Sequence, residues 1–169
     1  MGKLVGRSTK GVGGDIVRYL TEVCKHFNVN IWVTSGYRSP RGQAQAMFNN
    51  WIRLRRGRVY SRRTLPEADR KKLDEHYRLA RETRDATASE RRTSRKAFLD
   101  LAEKKVGRKS RHSTGRAVDV AQAGMTPKVY KAITLYLREV PEGRKDIYHF
   151  ESRTRVPAVT DAIRAKWGK

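Results

Sequence analysis

Twice in this sequence a short run alternates between apolar and polar residues, and each run carries a strongly polar side chain on its wetter side. From Arg116 to Ala121, Val118 and Val120 alternate with Ala117, Asp119 and Ala121. From Asp146 to Glu151, Tyr148 and Phe150 share one side and His149 takes the other. Successive side chains on a strand point to opposite faces, so both runs predict strands with one buried face and one polar face. If the two strands are neighbours, Asp119 and His149 meet across them. His112, in a turn of small residues just before Asp119, completes a cluster of three.

The remaining periodicities surround these strands with helices. Ile16, Val17, Leu20, Val23, Cys24 and Phe27 recur at helical spacing, with Asp15 at the positive end of that helix's dipole. Val29, Ile31 and Val33 predict a strand, and Ser35 to Pro40 a turn into a helix carrying Ala44, Met47, Phe48 and Trp51 on one side. Thr126 and Pro127 open a helix with Val129, Ile133, Tyr136, Leu137 and Val140 as its apolar positions. Pro157 starts a closing helix with Val159, Ile163 and Trp167 on its buried side. Trp32, Trp51 and Trp167 are expected in the core, His26 near the carbonyls closing its helix, and His76 in solvent. The pattern is α+β.

Between Arg53 and Lys109 the composition changes. Residues 53 to 111 hold 21 Lys and Arg against 9 Asp and Glu, within a chain of formal net charge +22. Thr64 to Glu67 looks like a capping box opening a helix with Leu73, Tyr77 and Ala80, and a second segment with Phe98, Leu101 and Ala102 ends at Gly107. We read 53–109 as a basic helical hairpin inserted in one domain spanning 1–169. A field of this strength attracts polyanions: nucleic acid, an anionic membrane or a bacterial cell wall.

Several classes are excluded. No apolar run reaches the roughly 18–20 residues of a membrane span. The first residues lack the apolar stretch of a secretory signal, and Gly6 stands where a myristoylation motif needs Ser or Thr. Synthesis in the cytoplasm, with release or delivery by another agent, is therefore expected. Cys24 is the one cysteine, which excludes an internal disulfide and a multi-cysteine zinc site; it reads as a small buried hydrophobe.

Two imidazoles and a carboxylate form a typical catalytic zinc set. The literal residues go further. Ser110-Arg111-His112-Ser113-Thr114-Gly115-Arg116-Ala117-Val118-Asp119 matches SxHxxGxAxD, a motif of the zinc peptidases related to D-alanyl-D-alanine carboxypeptidases, vancomycin-resistance dipeptidases and the Hedgehog fold. Ser35-Gly36-Tyr37-Arg38-Ser39 followed by Gln43 resembles that family's SGYRSxxxQ element, and Asp146-Ile147-Tyr148-His149-Phe150 its final acid-x-x-His element. The three elements stand in family order at the two ends of the core, and the stretch from Arg53 to Lys109 has no counterpart.

The resemblance implies a small antiparallel sheet flanked by helices, with the basic hairpin inserted. It implies that His112, Asp119 and His149 bind one zinc ion and that Asp146 is the general base. Arg38 would stabilise the oxyanion, while Ser110, Gln43 and Tyr37 would help hold the substrate. Asp146 stands where many members carry Glu, as in phage endolysins that cleave the L-alanyl–D-glutamate bond. Residues three apart on a strand face opposite ways, so Asp146 and His149 need a bend or bulge between them. Glu151 shares the face of His149 without one, as an alternative base or an outer partner of the histidine.

The expected activity is zinc-dependent hydrolysis of peptidoglycan stem peptides, at the L-alanyl–D-glutamate bond or a D,D bond, by a phage-type lysin or a delivered effector. The basic insertion would hold the enzyme on anionic wall or envelope polymers. Two other classes compete: a basic nucleic-acid-binding protein, and a wall-binding module that keeps the fold without turnover. No helix-turn-helix, Cys-His finger or RNA-binding aromatic motif supports the first, and five retained site residues argue against the second.

Overall fold

Burial of the aliphatic side of each strand dictates how the sheet is assembled. The structure, a computed structural model, describes residues 1–6, 9–58, 65–140 and 146–167. The chain divides into two compact units, Met1–Tyr37 with Thr114–Lys169, and Arg38–Ser113.

The first unit contains strands β1 (Leu4–Gly6), β2 (Ile31–Ser35), β3 (Ala117–Ala121), β4 (Arg138–Glu139) and β5 (Ile147–Glu151) in the order β1-β2-β3-β5-β4. It also holds helices α1 (Gly14–Phe27), α5 (Pro127–Thr134) and α6 (Asp161–Trp167). Ile31, Val33, Val118, Val120 and Phe150 pack with Ile16, Leu20, Val23, Val129, Ile133 and Trp167 in one core. The α+β class is as expected, but the sheet is mixed rather than antiparallel. β1 runs parallel to β2, while the other pairings are antiparallel. This strand of three residues is too short to show an alternation in sequence.

Other expectations shift by a few residues, for local reasons. The first long strand runs from Ile31 to Ser35 rather than beginning at Val29, because Asn28 closes α1 in a left-handed conformation (φ 52°) and the Val29 N–H still donates to Cys24 O. Helix α5 ends at Thr134 instead of reaching Val140, because Arg138 and Glu139 are drawn into pairing with Glu151 and Phe150. Trp32 is 53% exposed, against the expectation of a core tryptophan, while Trp51 and Trp167 are buried. His26 packs edge-on against Phe27 and Trp167. Cys24 is fully buried, and burial pushes its thiol up to about 11.

A polar clamp ties the ends of this unit together. Arg116 Nη1 donates to both oxygens of Asp15 at 2.9 Å, and the Val156 N–H donates to Asp15 Oδ2 at 2.7 Å. Asp15 therefore does more than complement the dipole of α1: it bridges three segments distant in sequence.

The second unit contains α2 (Pro40–Asn49), α3 (Glu67–Arg81), α4 (Ala88–Lys105) and a short 3-10 turn, Gly107–Lys109. Ser39 caps α2 by accepting the Gly42 N–H at 3.0 Å. Lys105 near the end of α4 pairs with Asp69 near the start of α3 at 2.8 Å, so the two helices are antiparallel. Their apolar sides meet those of α2: Phe98 stands edge-on to Phe48 and to Trp51, with centroids 5.1 and 5.0 Å away, over Leu73 and Met47. The expected capping box at Thr64 falls outside the described residues; Pro66 precedes α3 without a side-chain cap, and the capping box found is Thr87 with Glu90, opening α4. Gly107 does not close α4 in a left-handed conformation. It admits the backbone of Pro40, whose carbonyl oxygen would lie 2.4 Å from an added Cβ.

Burial pushes the Asp15 carboxyl up, but the Val156 amide and the Arg116 guanidinium outweigh that and hold it below the ordinary carboxylate value. A depressed carboxyl stabilises the fold above the unfolded pKa of about 3.9, and that contribution is lost as pH falls through the lower folded value. Asp15→Asn should cost about 1.5–3 kcal/mol at pH 7, the range for hydrogen bonds to a charged group in a partly buried site. Urea unfolding should show the same deficit at pH 5 and a shrinking one below about pH 4. A deficit independent of pH would mean that the clamp acts through shape alone.

Candidate metal centre

Asp119 in β3 and His149 in β5 are direct cross-strand partners. Val118, Val120 and Phe150 occupy the opposite face of the same strands, in the core, so core packing itself sends the two polar side chains to the other side. Both are almost wholly buried, at 3% and 6% exposed. His149 Nδ1 lies 2.7 Å from Asp119 Oδ1, and His149 Nε2 lies 3.1 Å from Glu151 Oε1.

His112 precedes β3 in the turn 111–115 and is also buried, at 3% exposed. Its backbone carbonyl accepts the Arg38 N–H at 3.3 Å. Gly115, at φ 69°, lets this turn swing into β3; a Cβ there would lie 2.4 Å from the carbonyl oxygen of Gly11. Ligand atoms of His112, Asp119 and His149 all lie within 4.8 Å of one another.

That donor set fits a metal ion. Two zinc–ligand bonds of about 2.0–2.2 Å each reach across at most about 4.4 Å, close to the 4.8 Å within which the three ligand atoms lie, and two imidazoles with one carboxylate leave a fourth position open. Both ring nitrogens of His149 face carboxylates; with an ion bound beside Asp119, Nδ1 would coordinate it and the Nε2–H would donate to Glu151. The buried triad can hold a metal ion, and the donor types alone do not name which.

The other expected residues are placed as follows. Asp146 is exposed at a bend just ahead of β5, and its carbonyl accepts the Gln122 N–H at 2.9 Å. The β3–β5 register is regular from Ile147 to Glu151, without a bulge, and Asp146 lies at the bend just outside that ladder. Arg38 Nη1 donates to Oε1 of the buried Gln43 at 3.2 Å. The Ser110 N–H donates to Val106 O at 2.9 Å, and Ser110 O accepts the Ser113 N–H at 3.0 Å. Tyr37 is 46% exposed, with Gly11 against its ring.

Two features of the ligand face were not anticipated. Trp32 sits on that face of β2, one strand from Asp119, because Ile31 and Val33 take the core side. The alternation of Ile31 and Val33 was the available clue. Thr34 lies at an irregularity in which Val33 pairs with Val120 and Ser35 with Asp119. Its buried hydroxyl has no hydrogen-bond partner among the described residues, an uncommon state for a buried hydroxyl.

No family model matches the chain, and comparison with curated proteins and with solved structures finds no match.

His149→Ala and Asp119→Ala should each abolish stoichiometric zinc uptake, measured by elemental analysis after gel filtration. Uptake unchanged in both would remove the metal centre.

Proposed function

We propose that this chain is a zinc peptidase of the D-alanyl-D-alanine carboxypeptidase and Hedgehog-like family, cutting peptidoglycan stem peptides. The observation that carries the reading is the buried His112–Asp119–His149 cluster, formed by the residues of the SxHxxGxAxD and acid-x-x-His elements. Zinc bound there would act as a Lewis acid, polarising the scissile carbonyl and making water acidic enough to ionise near neutral pH. His112, Asp119 and His149 would hold the ion, and Glu151 would keep the His149 ring from turning.

The Asp146 carboxylate takes a proton from the attacking water and delivers it to the leaving amine nitrogen, so no net proton is consumed at the residue. Its exposure suits a group that must meet substrate. Arg38, steadied by Gln43, offers a fixed cation to the oxygen on which negative charge develops. Ser110 and Tyr37 contribute to holding the peptide. The exposed Trp32 on the ligand face adds an apolar ledge of the kind that packs against substrate. Glu151, already bonded to the histidine, is a positioning residue in this reading, which leaves the base role to Asp146. Aspartate there favours the L-alanyl–D-glutamate bond among the stem bonds.

Purified peptidoglycan incubated with the protein should release new peptide fragments by mass spectrometry, and a chelator should suppress them. Asp146→Asn should keep zinc and lose about 10²–10⁴-fold in turnover. No fragments from folded, zinc-loaded protein on walls of several chemistries would overturn the reading. Glu151→Ala should weaken zinc binding about 10–100-fold, with turnover recovering at saturating zinc. Full zinc affinity with turnover lost would make Glu151 the base instead.

A further inference from the structure

The turn that follows α2 is built in an unusual way. Arg55 and Arg56 both adopt left-handed conformations, at φ 50° and 51°, and Gly57 follows at φ 78°. Two consecutive non-glycine residues in this region are strained and persist only where the surroundings impose them. Here the surroundings are plain. Trp51 Nε1 donates to Asp74 Oδ1 at 2.9 Å, Arg56 Nη1 donates to the same oxygen at 2.7 Å, and Arg56 Nη2 donates to Glu82 Oε1 at 2.9 Å. Gly57 lies so close to the Trp51 ring that an added Cβ would stand 2.6 Å from it.

This anchoring uses up the nearby carboxylates. Asp74 is held by two donors and Glu82 by Arg56. Arg55 and Arg58 are exposed, and among the described residues their guanidinium groups meet no carboxylate. Both, with Arg56, Arg70, Asp74 and Ile52, line one cavity of about 610 Å³. Arg70 reaches only Glu67, at 3.5 Å. The strained turn thus sets two arginines that meet no carboxylate among the described residues beside a third arginine, all lining a space large enough for a small ligand.

The geometry points to a phosphate-binding site formed by Arg55, Arg58 and Arg70. Guanidinium groups bind phosphate oxygens through paired N–H donors, and their planar fork loses less entropy per hydrogen bond formed than a lysine side chain does. Ile52, 51% exposed at the rim, matches a phosphate carried on an apolar body, as in a lipid headgroup. The site takes the phosphate group itself, whether free or on a headgroup. It stands apart from the proposed peptidase chemistry, and its test reads binding alone.

The test uses the full chain with Arg55→Asn and Arg58→Gln together. Asparagine tolerates the left-handed conformation, so the turn and its Arg56 anchor are kept. A control with Arg92→Gln and Arg108→Gln removes the same charge from other exposed positions. Binding of pyrophosphate is measured by calorimetry at 150 mM salt, and binding to phosphatidylglycerol and phosphatidylcholine vesicles by flotation. The site variant should lose at least tenfold in affinity for pyrophosphate or for the phosphatidylglycerol vesicles, and the control less than twofold. Pyrophosphate binding alone assigns a free phosphate, and vesicle binding that depends on Arg55 and Arg58 assigns a headgroup. Equal losses in both variants would show diffuse attraction to net charge and overturn the proposal, as would no binding by the unaltered protein to either probe.

Discussion

The pairing of β3 with β5 joins the hydrophobic core to the polar site. Val118 opposite Phe150 and Asp119 opposite His149 are consecutive steps of one ladder. Side chains alternate with a period of two, so a slip of one residue would turn the ligands toward the aliphatic core and the aliphatic side chains toward the ligand face together. The free energy of excluding Val118, Val120 and Phe150 from water therefore also places Asp119 beside His149. The same economy extends to Glu151, two residues beyond His149 on the same face, which reaches the far nitrogen of the imidazole without a device of its own.

The Arg38–Ser113 unit resolves a different tension, since so many like charges on a small unit oppose compaction. Its acidic residues are spent on particular cations. Asp74 and Glu82 hold Arg56, Asp100 and Glu103 hold Arg41, and Asp69 holds Lys105. Exposed pairs of this kind contribute about 0–1 kcal/mol each, too little to hold the helices together. The aromatic cluster of Phe48, Trp51, Tyr77 and Phe98 carries that burden, with Arg81 and Arg95 stacked over the Phe48 ring. Charge remains in excess on the surface, where the proposed phosphate site draws on it.

What was legible in the sequence was what depends on neighbours in the chain. The faces of α1, α2 and α5 and the alternation of β3 and β5 follow from spacing and local composition, while the grouping of His112, Asp119 and His149, conditional on those two strands being neighbours, was read from the resemblance of their motifs to a known family. What escaped depends on partners far away in sequence. β1 becomes a strand only because Ile31 to Val33 offer it an edge, and Arg138 and Glu139 leave the helical pattern because β5 pairs with them. The Asp15–Arg116 clamp joins residues about a hundred positions apart, which no periodicity reveals. Trp32 was misjudged because its size outweighed its place: one position out of phase with Ile31 and Val33, it had to face away from the core.

The acid-x-x-His element raises the same question at the level of the site. An acid three residues before His149 could not share its face if both lay within a regular strand. The strand begins at Ile147, and the bend at Asp146 removes that residue from the alternation while its carbonyl, bonded to the Gln122 N–H, still extends the ladder. Asp146 is thereby fixed in backbone position yet exposed, which suits the proton exchange with substrate proposed for it. Glu151 lies inside the ladder and against the histidine, as a group that must hold still requires. On the proposed reading, the two carboxylates differ in role because one stands just outside the strand and the other within it.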